Sequence, residues 1–291
     1  MVSATQLSSY LYCPRKLFIS KVLLVEEPVK VELVKGKIWH EAHELINNSE
    51  ETIVTSIKTK NYQDIYDLYR RSYSKSLRNA VIKYKSELKE FGLSMLDIFT
   101  DYWTSFEEEA KDHALNLISF IEKNEVYGKD LWLKLTPKIL SEQYFKSEKL
   151  KLSGIIDVLE IHNIDNTMIY VPIELKTGKY PASGMWEGHK IQLAAYILLL
   201  EDARKPVEEA AIKYRGAEKR VLQMNTFLRE EVLDLIHKTD VLLTEFKLPD
   251  FTDNKNKCKS CQLKDTCYNH DEVKNLMEFA YLRLEKSPTT R

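Results

Sequence analysis

The sequence predicts an α/β fold, and three observations carry that prediction. Apolar residues recur at helical spacing through most of the first 125 positions, and alternation with period two takes over from Leu131 to Thr177. Helical spacing then returns in GMWEGHKIQLAAYILLLEDAR, ahead of two more alternating runs. The core reads as helix, three strands, helix, strands. Composition agrees: 291 residues allow one large domain or two modest ones, and 44% hydrophobic content with 30% charged residues and only 8 Gly suits a chain with a buried core. The 43 Lys plus Arg nearly cancel 44 Asp plus Glu, leaving a net charge of -1. That excludes binding a polyanion by gross charge, so any nucleic-acid site must be local. The longest apolar run, Ile191 to Leu200, contains Gln192 and falls short of the roughly 18 to 20 residues a bilayer span requires. The opening MVSATQLSSYLYC lacks a basic start, an apolar run and a small-residue cleavage site, which predicts a cytoplasmic setting.

The elements follow in order. Ser3 caps a first helix through Leu7, Tyr10, Leu11 and Leu17, interrupted at Cys13 and Pro14. VLLVEEPVKVELV is predicted extended. After Gly36, KIWHEAHELI places Ile38, Ala42, Leu45 and Ile46 on one helical face and carries His40 and His43. Residues 61 to 125 read as long helices, with Tyr62, Ile65, Tyr66, Tyr69, Tyr73 and Leu77 in one stripe: a core face at this spacing, or a platform for stacking bases. LWLKLTPKIL, LKLSGIIDVLEI and TMIYVPIELKT are predicted strands, the last two joined by the turn-like HNIDN. EEAAIKY and RVLQMNTF are further strands, and a helix follows near Glu230 to Phe246. Four segments result: 1–35 with Cys13, 36–130 with the histidine-bearing helix and a helical insertion, 131–248 as the strand-rich core, and 249–291 with the remaining cysteines.

Within IYVPIELKT, period two sends Glu174 and Lys176 to the same face. In the preceding strand Asp157 shares a face with Ile155, Leu159 and Ile161, so this carboxylate sits in apolar company and needs a cation or hydrogen-bond partners. Gly154 leaves room there for close approach. If HNIDN makes a hairpin, Asp157 and Glu174 converge, and paired carboxylates are stabilised by a hard divalent cation such as Mg2+ or Mn2+. With Lys176 alongside, the set suits phosphodiester hydrolysis: a metal-bound water attacks phosphorus while the metal and Lys176 stabilise the developing charge. Read alone, E-x-K is equally a surface ion pair on a strand. Gln192 and Tyr196, one turn apart, share a polar strip with His189 on an otherwise apolar helix, positioned to contact DNA, to hold Lys176 or merely to bond the sheet.

WHEAH, GIIDVLE, PIELKTGK and QLAAY, in this order and spacing, resemble the RecB-type nucleases of the PD-(D/E)xK superfamily. The resemblance implies a restriction-endonuclease-like core with a mixed central sheet flanked by helices. It also implies that His40, Asp157, Glu174 and the backbone carbonyl of Leu175 hold the metal, that Lys176 orients or activates water, and that Gln192 and Tyr196 form the pair following the sheet.

Cys258, Cys261 and Cys267 follow C-x2-C-x5-C, and Cys13 is the only other cysteine. In a reducing compartment four cysteines favour a thiolate metal site over disulfides. Zinc and an iron-sulfur cluster both remain open, although the three-plus-one split lacks the paired knuckles common in zinc sites. YCPRKLF and CKSCQLKDTC resemble the iron-sulfur branch of the same nucleases, and within it the CRISPR-associated RecB-like exonucleases. That resemblance implies a four-iron (4Fe-4S) cluster on Cys13, Cys258, Cys261 and Cys267. It further implies 5'-to-3' action on single-stranded DNA ends and work beside the CRISPR integrase in spacer acquisition. It does not extend to the helices of residues 61 to 125. A stand-alone repair exonuclease, a non-catalytic cluster-bearing DNA- or integrase-binding subunit and a zinc module are the competing readings.

Overall fold

The computed structural model describes residues 1–285, so the last residues of segment 249–291 lie outside the described part. The chain opens with β1 (Val2–Ser3) and α1 (Ala4–Tyr12). Ser3 caps α1 by accepting from the Gln6 N–H at 3.2 Å while the Gln6 side chain accepts from the Ser3 N–H at 2.7 Å, a reciprocal capping box. Cys13 breaks the helix in extended conformation, and Pro14 starts α2 (Pro14–Lys21), where its missing N–H costs nothing.

Five helices follow: α3 (Val31–Ser56), α4 (Tyr62–Lys83), α5 (Lys85–Glu90), α6 (Met95–Asn124) and α7 (Gly128–Lys134). Two expectations are corrected here. VELV is helical rather than extended, because Val34 and Ile38 continue the buried face of α3 toward its start; the 35/36 division therefore cuts this helix. LWLK is α7 rather than a strand, with Leu131 buried and Leu133 66% exposed, so the 130/131 division also falls inside a helix. Tyr69, Tyr73 and Leu77 are core, packed with α3 and α6, whereas Tyr62 and Tyr66 stack on each other at 5.8 Å.

The sheet is built from β1 and five further strands: β2 (Lys138–Ser147), β3 (Leu152–Ile164), β4 (Thr167–Lys176), β5 (Glu209–Tyr214) and β6 (Arg220–Gln223). It is mixed. β3 pairs antiparallel with β2 along one edge, and on the other edge antiparallel with β4 and parallel with β1. β4 and β5 are parallel, joined by the crossover helix α8 (Glu187–Asp202), and β6 returns antiparallel. RVLQMNTF is only in part a strand. Asn225 accepts from the Leu228 N–H at 2.9 Å and so starts α9 (Thr226–Thr244) within that run.

Helices cover both faces. Val158, Val171, Ile173 and Leu175 pack toward α3, α4 and α6, and Ile156, Leu159, Ala210 and Ile212 toward α1, α8 and α9. Every side chain of α8 from Ile191 to Leu200 is buried, which is why it reads as the longest apolar run. A third cluster joins the two ends of the chain. Leu17, Phe18 and Ile19 of α2 pack with Leu242 of α9, with Leu263 between the short helices α10 (Lys255–Lys259) and α11 (Lys264–Tyr268), and with Val273 and Ala280 of the longer α12 (His270–Glu285) that closes the described chain.

Candidate active site and cysteine site

The β3–β4 ladder ends at the pair Val158–Ile173, and one further step in the same register sets Asp157 opposite Glu174. The strands part there because the Leu175 N–H donates to Asp157 Oδ2 at 2.8 Å instead of to a carbonyl of β3. A strand residue sends its N–H and C=O out on the same side. The Leu175 carbonyl therefore leaves toward the same gap, while the next carbonyl, of Lys176, faces the other way and accepts from the Arg215 N–H at 2.8 Å. Across β3 the sheet is irregular too. Ile156 and Leu159 both face α8, so strict alternation slips a step at Asp157. On β2, Glu142 has φ 50 between Ser141 and Gln143, which pair with Val158 and Ile156. Both distortions point carboxylates into one place.

α3 supplies the third group. His40 Nδ1 lies 3.4 Å from Asp157 Oδ1 and 3.9 Å from Glu142 Oε1. Burial would lower its pKa, but the hydrogen bonds to Asp157 and Glu142 and the charges of Asp157 and Glu174 push it up to about 10. Glu174 is 3% exposed. Lys176 Nζ donates to its Oε1 and the Tyr196 hydroxyl lies 2.9 Å from its Oε2. Burial, then the charge of Asp157, raises the Glu174 pKa, with Lys176 and Tyr196 opposing. Lys176 is half-buried; desolvation would lower its pKa, yet Glu174 and Asp157 raise it overall, so it stays an ammonium.

The Tyr196 hydroxyl also lies 2.7 Å from the Ile155 carbonyl, so its one proton is shared between that oxygen and Glu174 while Gln192 Nε2 donates to the phenol oxygen at 2.7 Å. Gly154 permits this, because a Cβ there would sit 3.0 Å from the Tyr196 ring. Gln192 and Tyr196 are 3% and 1% exposed, so they hold Glu174 from behind rather than face DNA. His189 is turned elsewhere, its Nδ1 2.8 Å from the Tyr214 hydroxyl. His43 also points away, toward Glu109 at 3.8 Å, with burial lowering its pKa to about 4.

The ligand atoms of His40, Glu142 and Asp157 all lie within 4.8 Å of one another, with Glu174 and the Leu175 carbonyl beside them. One imidazole amid several oxygen donors, carrying an uncompensated negative charge that His40 now relieves by holding a proton, fits a hard divalent cation. Glu142 has no signal in the sequence. Only working out the β2–β3 register, which places it across from Asp157, reveals it.

Cys13, Cys258, Cys261 and Cys267 line one cavity, from opposite ends of the chain. Arg15, 6% exposed, braces it: Nε donates to Cys267 Sγ at 3.2 Å, Nη1 to the Pro249 carbonyl at 2.7 Å, and the guanidinium lies over the Phe251 ring at 4.0 Å. Burial raises the Cys261 and Cys267 thiols above their ordinary pKa, with Arg15 pulling Cys267 back down. Four soft donors converging in one cavity, with a cation to offset thiolate charge, fit a thiolate-bound metal centre.

Known proteins are similar to parts of this chain. A fusion of the CRISPR-associated exonuclease Cas4 with the endonuclease Cas1 from Leptospira interrogans is 30% identical over 154 residues, which is 51% of this chain and 28% of the fusion. The CRISPR-associated exonuclease Cas4 of Francisella tularensis subsp. novicida is 32% identical over 128 residues, 42% of this chain and 59% of its own. The human DNA replication ATP-dependent helicase/nuclease DNA2 is 22% identical across 92% of this chain and 26% of its length. The chain thus spans from about a quarter to three fifths of these relatives. Residues 1–268, a stretch running from the Cys13 helices through the split sheet to Cys267, match the PD-(D/E)XK nuclease superfamily, and the chain belongs to that family.

Proposed function

We propose that the protein is a divalent-metal-dependent DNA exonuclease acting 5'-to-3' on single-stranded ends, and that it trims spacer precursors beside the integrase during CRISPR adaptation. The observation that carries this is the meeting of His40, Asp157, Glu174 and Lys176 at the point where β3 and β4 part. His40, Asp157, Glu174 and the Leu175 carbonyl would hold Mg2+ or Mn2+, with Glu142 in reach. The ion supplies a water of lowered pKa and a Lewis acid for the phosphoryl oxygens. Lys176, kept cationic by Glu174, offers its ammonium to the charge that develops on the phosphoryl group. Tyr196 and Gln192 fix the rotamer of Glu174, so the donor set is held before the ion arrives.

The four cysteines are assigned to an iron-sulfur cluster, most simply 4Fe-4S, on the strength of their common cavity and their three-plus-one spacing along the sequence. Similarity to a protein in which the exonuclease is fused to Cas1 supports the integrase setting. A second reading, a nuclease of replication or repair, draws on the similarity to the human helicase/nuclease across 92% of this chain.

The test uses anaerobically purified protein, Mn2+ and single-stranded DNA labelled at either end. Progressive shortening that is lost by at least about a hundredfold in Glu174→Ala and Lys176→Ala is the expected result, and the labelled end reports polarity. Intact DNA that the unmutated, cluster-loaded protein nevertheless retains in a gel shift would replace the enzyme with a DNA-binding subunit. Cleavage without any binding to the purified integrase would favour the repair setting.

A further inference from the structure

The helical insertion contributes none of the groups described above, yet one of its side chains reaches the cleft. Tyr84, at the joint between α4 and α5, lines the same cavity as His40, Glu142 and Lys176. Its place is well determined. The ring packs against the helical core, α5 starts from Tyr84 and buries Leu88, and the preceding Lys83 is ion-paired to Glu41 of α3 with its ammonium 5.7 Å from the Tyr84 centroid. Leu33 of α3, 53% exposed, is the other accessible apolar side chain of the cavity.

The charges on this wall limit what can rest there. Glu32, Glu41 and Glu44 outnumber Lys37 in the lining and the Lys83 that pairs with Glu41, so the wall keeps a net negative charge and disfavours a phosphate. A base brings no charge and two π faces. Lys176, on the other side of the cavity, is the group suited to a phosphate. We infer that Tyr84, with Leu33, receives the nucleobase next to the scissile phosphate by stacking, so that the insertion acts as the specificity element for unpaired DNA. A paired base is held in the duplex stack by its partner, whereas an unpaired one is free to turn a face onto the ring. Stacking is blind to base identity, so no sequence preference follows. This inference rests on the DNA-nuclease reading.

The test measures binding rather than turnover. Full-length protein in Ca2+ is titrated with single-stranded DNA bearing terminal 2-aminopurine, following anisotropy for affinity and 2-aminopurine quenching for stacking. Tyr84→Ala is expected to weaken binding about tenfold and to lose most of the quenching, with helical content by circular dichroism retained. Tyr84→Phe, which keeps the ring, restores both, and Tyr84→Leu, which keeps apolar bulk alone, restores neither fully. Wild-type affinity and quenching in Tyr84→Ala, or full recovery in Tyr84→Leu, overturns the inference. If the unmutated chain cleaves labelled DNA and the Tyr84 variants match it in both signals, only the role of Tyr84 is lost. If the unmutated chain neither binds nor cleaves, the nuclease reading falls and Tyr84 with it.

Discussion

Gly154 and Tyr196 show how one hydrogen atom's worth of space governs the site. Gly154→Ala would place a methyl 3.0 Å from the Tyr196 ring and 3.2 Å from Leu199, so the ring must swing away from Glu174 or the helix must retreat. The expected outcome is Mn2+ affinity lower by about tenfold or more, as for loss of a group supporting a ligand, with secondary structure kept; calorimetric titration checks it. His40 gives a second prediction. Its folded pKa of about 10 lies above the unfolded value near 6.5. In metal-free protein this stabilisation is fully present below about pH 6.5 and is lost as pH rises through 10. At neutral pH the ring must therefore shed a proton before ligating, and Mn2+ binding should release close to one proton, measured as a dependence of binding heat on buffer ionisation enthalpy. A binding heat independent of buffer would mean that His40 holds no proton to shed at that pH. His40, Asp157, Glu174 and Lys176 were legible as candidates only through the order and spacing of WHEAH, GIIDVLE and PIELKTGK together, since E-x-K by itself reads equally as a surface ion pair. Glu142 is silent because its contribution depends on a backbone distortion and a register between strands, neither of which is local.

At the scale of elements, His43 is where the insertion is seated on α3. It is 6% exposed, its Nε2 has no partner, and its ring meets Trp39 at 4.8 Å and Phe106 of α6 at 4.8 Å. Its folded pKa of about 4 lies below the unfolded value, so stability is full above about pH 6.5 and falls as pH drops toward 4. His43→Leu should flatten the decline in melting temperature across that window. An undiminished decline would locate the acid sensitivity elsewhere, with His189, also near 4, the next group to replace. The elements themselves were legible where a pattern was long: α8, the β3–β4 pair and the buried stripe of α4. They were misread where chance alternation imitated a strand. In LWLKL the leucines alternate, but Trp132 between them is apolar too, and only Leu131 is buried while Leu133 faces solvent, so the sequence pattern has no sheet behind it. β1 spans two residues and pairs with Leu152 and Ser153 far along the chain, which no local pattern reports.

For the molecule as a whole, the cysteine cavity and the third core cluster unite segments 1–35 and 249–291. A centre bound by all four cysteines couples folding of both ends to metal binding. Cys267→Ser and Cys13→Ser should therefore each abolish the visible absorption of anaerobically purified protein and lower its melting temperature by similar amounts. A change confined to the C-terminal variant would mean that Cys13 stands outside the centre. Among the described residues no helix is long and apolar enough to cross a membrane.

The union of the two ends also sets a timetable. Arg15 and Cys267 are separated by 252 positions yet in contact, and Leu17 and Phe18 are covered by residues from the same distant region. At a synthesis rate of about 5 to 20 residues per second, the partners of α2 leave the ribosome on the order of tens of seconds after α2 itself. Throughout that interval the apolar side chains of α2 and the Cys13 thiol beside it wait on the nascent polypeptide without the residues that shelter them.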